Sequence, residues 1–250
     1  MLNIVVPMAG RGSRFAKEGY ELPKPLINVN GKHMIEVVIN NLTPDYEHRF
    51  IFVCQNEHIE KYNLNEVFSS SCDNFEIVGI DGFTEGAAIT VLKARKFLEN
   101  DEPLMIANSD QWVDVDINEY LQDIEDRNLS GSMLTMKASD PKWSYAKVTK
   151  EGFVTEVVEK VVVSDEATVG IYNFSSGRTF CKFADHMVDN NIRSGGEFYV
   201  APVYTYMADR KYRIGIYNIG SEANGMYGLG IPSDLELFLS LEISNKATLF

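Results

Sequence analysis

The chain has 250 residues, a formal net charge of −13 at pH 7 and 24% charged residues. That length allows one large α/β domain or two small ones. The acidic balance argues against general nucleic-acid binding, which needs a basic surface to displace counterions, and no apolar run approaches bilayer length. The amino terminus shows neither a basic flank nor a cleavage pattern. Cys54, Cys72 and Cys181 are odd in number and far apart, without metal spacing. They imply no disulfide framework and fit a reducing cytoplasm. An acidic protein that handles a polyanion must concentrate its few cations locally or recruit a divalent metal.

Ile4-Val5-Val6-Pro7 is an apolar run of strand length that breaks into Met8-Ala9-Gly10-Arg11-Gly12-Ser13-Arg14-Phe15. Two glycines let a backbone turn tightly and bring N–H groups close to an anion. Arg14 offers a planar fork to phosphate oxygens, and Lys24 in Pro23-Lys24-Pro25-Leu26 a compact point charge. Pro25 is expected to push Lys24 into an extended conformation. The stretch reads as a triphosphate cradle. It is not a P-loop, because no Gly-Lys-Ser/Thr ending follows four intervening residues, nor a dinucleotide fingerprint, because Phe15 stands where a third glycine is required.

Val29-Asn30-Gly31-Lys32 reads as a tight turn and Met34 onward as a short helix. A strand is expected at 50–54, a helix from Glu57 to Phe68, and a strand at 75–80. An amphipathic helix then runs to about Leu98, with Thr84 as N-cap. Gly86 in its first turn costs roughly 1 kcal/mol against alanine. Either the helix begins later or something approaches the backbone there; a flat nucleobase or a loose loop would each explain it. Leu104-Met105-Ile106-Ala107 is a buried strand ending in Asn108-Ser109-Asp110-Gln111. In open α/β sheets ligands bind beyond the carboxyl ends of strands, which places Asp110 to hold Mg²⁺ bridging phosphates. Asp114-Val115-Asp116 resembles the Asp-x-Asp motif of glycosyltransferases that use nucleotide sugars. Asp116 also stands three residues before Glu119 at a helix start, a capping arrangement, and both aspartates are read as structural.

From Ser132 the pattern turns to strands. The segments 145–149 and 153–158 form a hairpin that runs into Glu159-Lys160, and Ala167 to Phe174 forms a further strand. Lys160 is either a solvated lysine at a strand end or, if the hairpin folds back over the site, the cation for a second phosphate. A helix is expected from about Gly177 to Asp189, another from Phe198 to Met207, and a strand at 213–217. Ser233-Asp234-Leu235-Glu236 reads as a capping box whose helix turns Leu235, Phe238, Leu239 and Leu241 inward. No repeat or linker interrupts this order.

Taken together, Gly10-Arg11-Gly12-Ser13-Arg14-Phe15, Pro23-Lys24-Pro25-Leu26, Asn108-Ser109-Asp110, Glu159-Lys160 and Gly170-Ile171-Tyr172 resemble the sugar-phosphate nucleotidyltransferases. Glucose-1-phosphate thymidylyltransferases and the smaller cytidylyltransferases are among them. The resemblance implies a three-layer, Rossmann-like α/β fold with a mixed, mainly parallel sheet. It implies one domain over residues 1–250, with an acceptor-binding subdomain at roughly 140–230. It also implies a cytoplasmic, Mg²⁺-dependent enzyme, with homo-oligomerisation left open. Such enzymes join a nucleoside triphosphate (CTP, UTP or dTTP) to a phosphorylated small molecule, a sugar 1-phosphate or a non-sugar such as phosphocholine or a phospho-amino acid, and release pyrophosphate. The product would feed surface or capsular polysaccharide.

By the same resemblance the backbone of Met8, Ala9, Gly10, Arg11, Gly12 and Ser13 would hold base and phosphates, with Glu85 and Gly86 at the base. Arg14, Lys24 and Asp110 would be catalytic, Asp110 binding the metal. Glu159, Lys160, Gly170 and Glu197 would face the acceptor. Gly228 stands where many relatives carry a second metal aspartate. That ligand is then Asp234, water or the substrates themselves. The alternatives are a nucleotide-sugar glycosyltransferase, which would use Asp114 and Asp116, and a non-catalytic nucleotide-binding protein.

Overall fold

The computed structural model describes residues 1–10 and 12–250. Leu2–Pro7 is buried along nearly its whole length, as a parallel strand covered on both faces must be. It pairs in parallel with His48–Gln55 on one side and Leu104–Ala107 on the other. Phe75–Ile80 extends the parallel set at one edge. Beyond Leu104–Ala107 the direction changes. Glu166–Phe174 runs antiparallel to it, followed by Gly131–Lys137, Ile214–Glu222, Gly225–Gly228 and Gln111–Val113. The hairpin Ser144–Val148 and Val154–Glu159 joins this sheet where Tyr145 meets Ala167, with a further bridge from Phe153 to Gly215.

Helices cover both faces, giving the three-layer α/β architecture that the sequence implies. Ala87–Leu92, Gly177–Asp189 and Val203–Asp209 bury one set of apolar side chains. Met34–Leu42, Leu64–Ser69 and Ile117–Asp126 bury the other. Tyr204 ties the layers together. Its ring stacks on Phe174 at 4.6 Å, and its hydroxyl donates to the carbonyls of Asn173 and Ser132 at 2.7 and 2.9 Å. A smaller cluster of Phe15, Trp112, Leu229, Leu235 and Phe238 packs the glycine loop's helix against the carboxy-terminal helices. No described helix is long and apolar enough to cross a membrane.

Several expectations are corrected. The helix foreseen over 57–68 is two helices, Asn56–Lys61 and Leu64–Ser69, because Asn63 adopts φ 47°, a conformation asparagine tolerates. The helix foreseen from Phe198 starts only at Val203. The backbone of Phe198 is already bonded to Glu85 and Ala88, and Pro202 biases its predecessor away from helix. Lys24 is not extended but opens a 3₁₀ turn over Lys24–Leu26. Hydrogen bonds from Leu26 to Pro23 at 2.8 Å and from Ile27 to Lys24 at 3.2 Å override the pre-proline preference. The last long helix is Pro232–Ser240, with Pro232 at its first turn and no side-chain cap, so the expected capping box is absent. Leu235 and Phe238 are buried there, whereas Leu239 is 36% exposed. The short strands Gln111–Val113 and Gly225–Gly228 were not foreseen.

Candidate active site

Pro7 ends the first strand, and the chain turns through the loop into the short helix Ser13–Lys17. Phe15 anchors this helix in the core at 1% exposure, which leaves Ser13 and Arg14 facing solvent. The N–H of Met8 donates to Val53 and the carbonyl of Ala9 accepts from Gln55, both within 2.9 Å, so these two residues are committed to the scaffold. The N–H groups of Gly10, Gly12 and Ser13 have no acceptor among the described residues. They are the part of the cradle open to an anion. Arg11 lies outside the described residues.

Lys24 and Asp110 meet beneath this loop. Lys24 Nζ donates to Asp110 Oδ2 at 2.6 Å, with each side chain about a quarter exposed (25% and 24%). Asp110 sits in the turn between Leu104–Ala107 and Gln111–Val113, where its carbonyl accepts from Leu229 at 2.8 Å. That bond brings the glycine segment 228–230 alongside. A Cβ on Gly230 would lie 2.5 Å from Asp110 Oδ2, and one on Gly228 would lie 3.1 Å from Asp234 Oδ2. Two carboxylates therefore occupy the space over two bare positions of one extended segment. Asp234 accepts no hydrogen bond and no ion pair among the described residues. Burial pushes its carboxyl up and Lys142 opposes the shift, with smaller contributions from Glu222 upward, Arg14 downward and Asp110 upward. Asp234, Asp110, Arg14, Lys142 and Glu222 thus share one electrostatic neighbourhood.

This donor set suits a hard divalent cation: two carboxylates, one already carrying a cationic ammonium in the position a metal would compete for. Among the described residues no group of three or more His, Cys, Asp or Glu converges. Any remaining ligands would have to be water or substrate oxygens.

On the other side of Pro7, the segment 83–90 meets Phe198. Phe198 N–H donates to Glu85 O at 2.8 Å and Ala88 N–H to Phe198 O at 3.0 Å. Gly86, at φ 129°, is the residue they straddle, and a Cβ there would lie 2.4 Å from Phe198 O. Both readings of its oddity hold: the helix starts later, at Ala87, and a backbone does approach closely. The neighbour at that Cβ position is the backbone of Phe198. Thr84 is therefore not the N-cap; its hydroxyl and that of Thr90 both donate to Gly86 O. A cavity of about 490 Å³ opens here, lined by Pro7, Ala9, Gly10, Phe83, Gly86 and Glu197, among others. The Glu85 side chain is paired with Arg193 instead of entering it.

A second cavity of about 300 Å³ adjoins the first and shares Pro7, Ala87 and Asn108 with it. Glu159, Lys160 and Gly170 line it together with Lys142, Trp143 and Tyr199. Lys160 holds a left-handed backbone at φ 57°, sparsely populated for a side-chain-bearing residue. Its ammonium donates to the Tyr199 hydroxyl at 2.7 Å, which raises its pKa. Gly170 has φ 80°, and a Cβ there would lie 2.1 Å from Asn108 Nδ2, so glycine is what lets Asn108 cross the strand. Asn108 N–H in turn donates to Gly170 O at 3.0 Å. The structure thus gathers Glu159, Lys160 and Gly170 in one cavity, and Gly10, Gly86 and Glu197 in the other. Lys24, Asp110, Arg14 and Asp234 appear in neither lining and form a third, charged cluster two residues from Asn108.

Sequence reasoning passed over Asn108, Lys142, Trp143 and Tyr199 as site residues. Asn108 could have been found from its place at a strand's carboxyl end. Tyr199 could not, because it was assigned to a helix that does not form there. Asp116 is the N-cap of Ile117–Asp126, its carboxylate accepting from Asn118 N–H at 2.8 Å. Asp114 pairs with Lys246 at 2.5 Å. Both therefore have structural tasks, as the capping reading implies.

Solved structures share this mixed α/β fold. A nucleoside-diphosphate-sugar pyrophosphorylase from Vibrio cholerae superposes with a TM-score of 0.81 at 23% identity, covering 95% of this chain and 100% of that one. A UDP-glucose pyrophosphorylase complexed with UDP-glucose gives 0.75 at 14% identity, covering 98% of each chain. More specifically, the nucleotidyl transferase family matches over residues 4–199, and the chain belongs to that family.

Proposed function

We propose that this nucleotidyl transferase condenses a nucleoside triphosphate with a phosphorylated small molecule and releases pyrophosphate. The observation that carries the reading is the Lys24–Asp110 pair beneath a glycine loop, beside two adjoining cavities that meet at Asn108. A phosphate oxygen of the acceptor attacks the α-phosphorus in line, and the bond to the β-phosphate breaks. The attacking phosphate is already ionised, so no general base is needed. Catalysis then consists of positioning and charge neutralisation.

Lys24, held by Asp110, neutralises the α-phosphate. Arg14, exposed on the loop's helix, meets the leaving pyrophosphate, while the free N–H groups of Gly10, Gly12 and Ser13 hold the triphosphate. Gly86 and the first cavity take the base, and Glu159, Lys160 and Gly170 the acceptor. Asp110 and Asp234 would hold Mg²⁺, which when bound neutralises and orients phosphate oxygens. The names of the two structural relatives refer to nucleoside-diphosphate sugars, which makes a sugar 1-phosphate one acceptor to test; a product feeding surface polysaccharide is part of the same proposal. The three free cysteines favour a reducing cytoplasm. The test is pyrophosphate release with four triphosphates crossed against phosphorylated acceptors, with and without Mg²⁺. Release from at least one pair is expected; none from folded protein overturns the reading.

A further inference from the structure

One stretch of chain walls both cavities. Glu197 lines the larger one, and Tyr199, Val200 and Ala201 line the smaller. Phe198, between them in the chain, is buried at 3% exposure, and its backbone is bonded to Glu85 and Ala88. The chain enters this wall through a two-residue turn. Ser194 and Glu197 exchange backbone hydrogen bonds at 3.0 Å each, across Gly195 and Gly196 at φ 57° and 89°. Both glycines hold left-handed backbone, and such a loop tip is ordered only where something ties it down.

Arg193 supplies that tie. Each of its three guanidinium nitrogens donates: Nε to Asn191 Oδ1 at 2.7 Å, Nη1 to Gly196 O at 3.0 Å and Nη2 to Glu85 Oε2. The guanidinium also stands over the Phe198 ring at 4.1 Å. A lone exposed ion pair contributes little, but a planar fork engaged with three acceptors and a ring fixes direction as well as distance. Through Glu85 the turn is bound to the segment 84–90, whose Gly86 also lines the larger cavity. Among the described residues that line the two cavities, neither Glu85 nor Arg193 is found.

Resting on the condensation reading, we infer that Glu85 and Arg193 are positioning residues, one strut that sets the wall 197–201 shared by the triphosphate and acceptor cavities. The Glu85 side chain then serves the base only through Arg193. The wall carries its position to the acceptor side through Tyr199, whose hydroxyl holds the Lys160 ammonium at 2.7 Å. A direct contact between Glu85 and the base would affect the triphosphate alone.

The test compares Glu85→Ala, Arg193→Ala and the double variant on the triphosphate and acceptor pair that releases most pyrophosphate. Each single variant is expected to raise KM for both substrates about five- to tenfold, with kcat within about threefold of the parent. The double variant should be no worse than Arg193→Ala, because removing either end releases the same strut. Losses that multiply in the double variant, or a loss for the triphosphate alone, overturn the inference. Hydrogen exchange tests the strut without turnover. Amides 194–198 should exchange about tenfold faster in both single variants, while those of Leu104–Ala107 keep the parent rate and show that the fold is intact. Unchanged exchange at 194–198 overturns the inference whatever the kinetics. A parent protein that releases no pyrophosphate with any pair removes the condensation itself. Calorimetric titration of CTP, UTP and dTTP then replaces KM, and equal losses in the two single variants that do not multiply in the double one are still required of the strut.

Discussion

Lys24 and Asp110 stand 86 positions apart in the chain and meet at 2.6 Å, Lys24 in a 3₁₀ turn and Asp110 in the turn after the buried strand Leu104–Ala107. Glu159 and Lys160 are chain neighbours at the end of a hairpin that pairs with the main sheet at Tyr145–Ala167 and Phe153–Gly215. The first region is held by the parallel core, so its charges are pre-organised before substrate arrives. The second is held by side chains: Ser144 on Glu159 and Tyr199 on Lys160. Preorganised charge is what lowers a barrier, whereas an adaptable, loop-borne wall is where substrate choice is made. The expected division is chemistry on the sheet side and acceptor recognition on the hairpin side.

The largest effects should fall on the sheet side. Lys24→Ala is expected to lower kcat about 10²- to 10³-fold with a much smaller change in triphosphate binding, because its charge matters most as the α-phosphorus is attacked. A loss confined to KM would break the comparison. Asp110→Asn should be as severe for Mg²⁺-dependent turnover while thermal denaturation still shows a folded protein.

On the hairpin side Lys160→Ala should leave triphosphate affinity within about threefold, roughly 0.7 kcal/mol, and lower acceptor kcat/KM about ten- to a hundredfold. Titrating each substrate with the other saturating checks this; equal losses for both would mean that Lys160 supports the whole site. Asp234 tests the border between the regions. Asp234→Asn should raise the Mg²⁺ concentration for half-maximal activity about tenfold, and direct Mn²⁺ binding followed by electron spin resonance should weaken in parallel. Unchanged Mn²⁺ binding would leave Asp110 without a protein partner.

The smallest effect concerns stability alone. Asp116→Ala removes the cap of Ile117–Asp126 and should cost about 1 kcal/mol in denaturant unfolding, with turnover per folded molecule intact. A folded but inactive variant would revive the glycosyltransferase alternative.

The parallel strands and the long helices were legible because burial imposes a pattern on the residues themselves. Leu2–Pro7, Leu104–Ala107 and Ile117–Asp126 lie where apolar runs and a helical period put them. The candidate site residues near turns stood out by type, since glycine, lysine and aspartate at strand ends carry a chemical meaning. Elements of three or four residues, such as Gln111–Val113 and Gly225–Gly228, were not, because so short a stretch contains too few positions to show a period.

Local chemistry also decided which residue types the glycine loop, Asp116 and Lys24 would present. Tertiary structure decided the partnerships. Gly86 is glycine because the backbone of a residue 112 positions later crosses it, and no local preference encodes that approach. Asp234 looked like a helix cap from its neighbours in sequence. In the fold, Pro232 starts the helix without a side-chain cap and leaves that carboxylate beside Gly228. A cap is a bond between residues two or three apart, so sequence can propose it. Whether a carboxylate faces its own helix or a distant strand depends on how the carboxy-terminal helices pack against Phe15 and Trp112, and long-range contacts alone determine that.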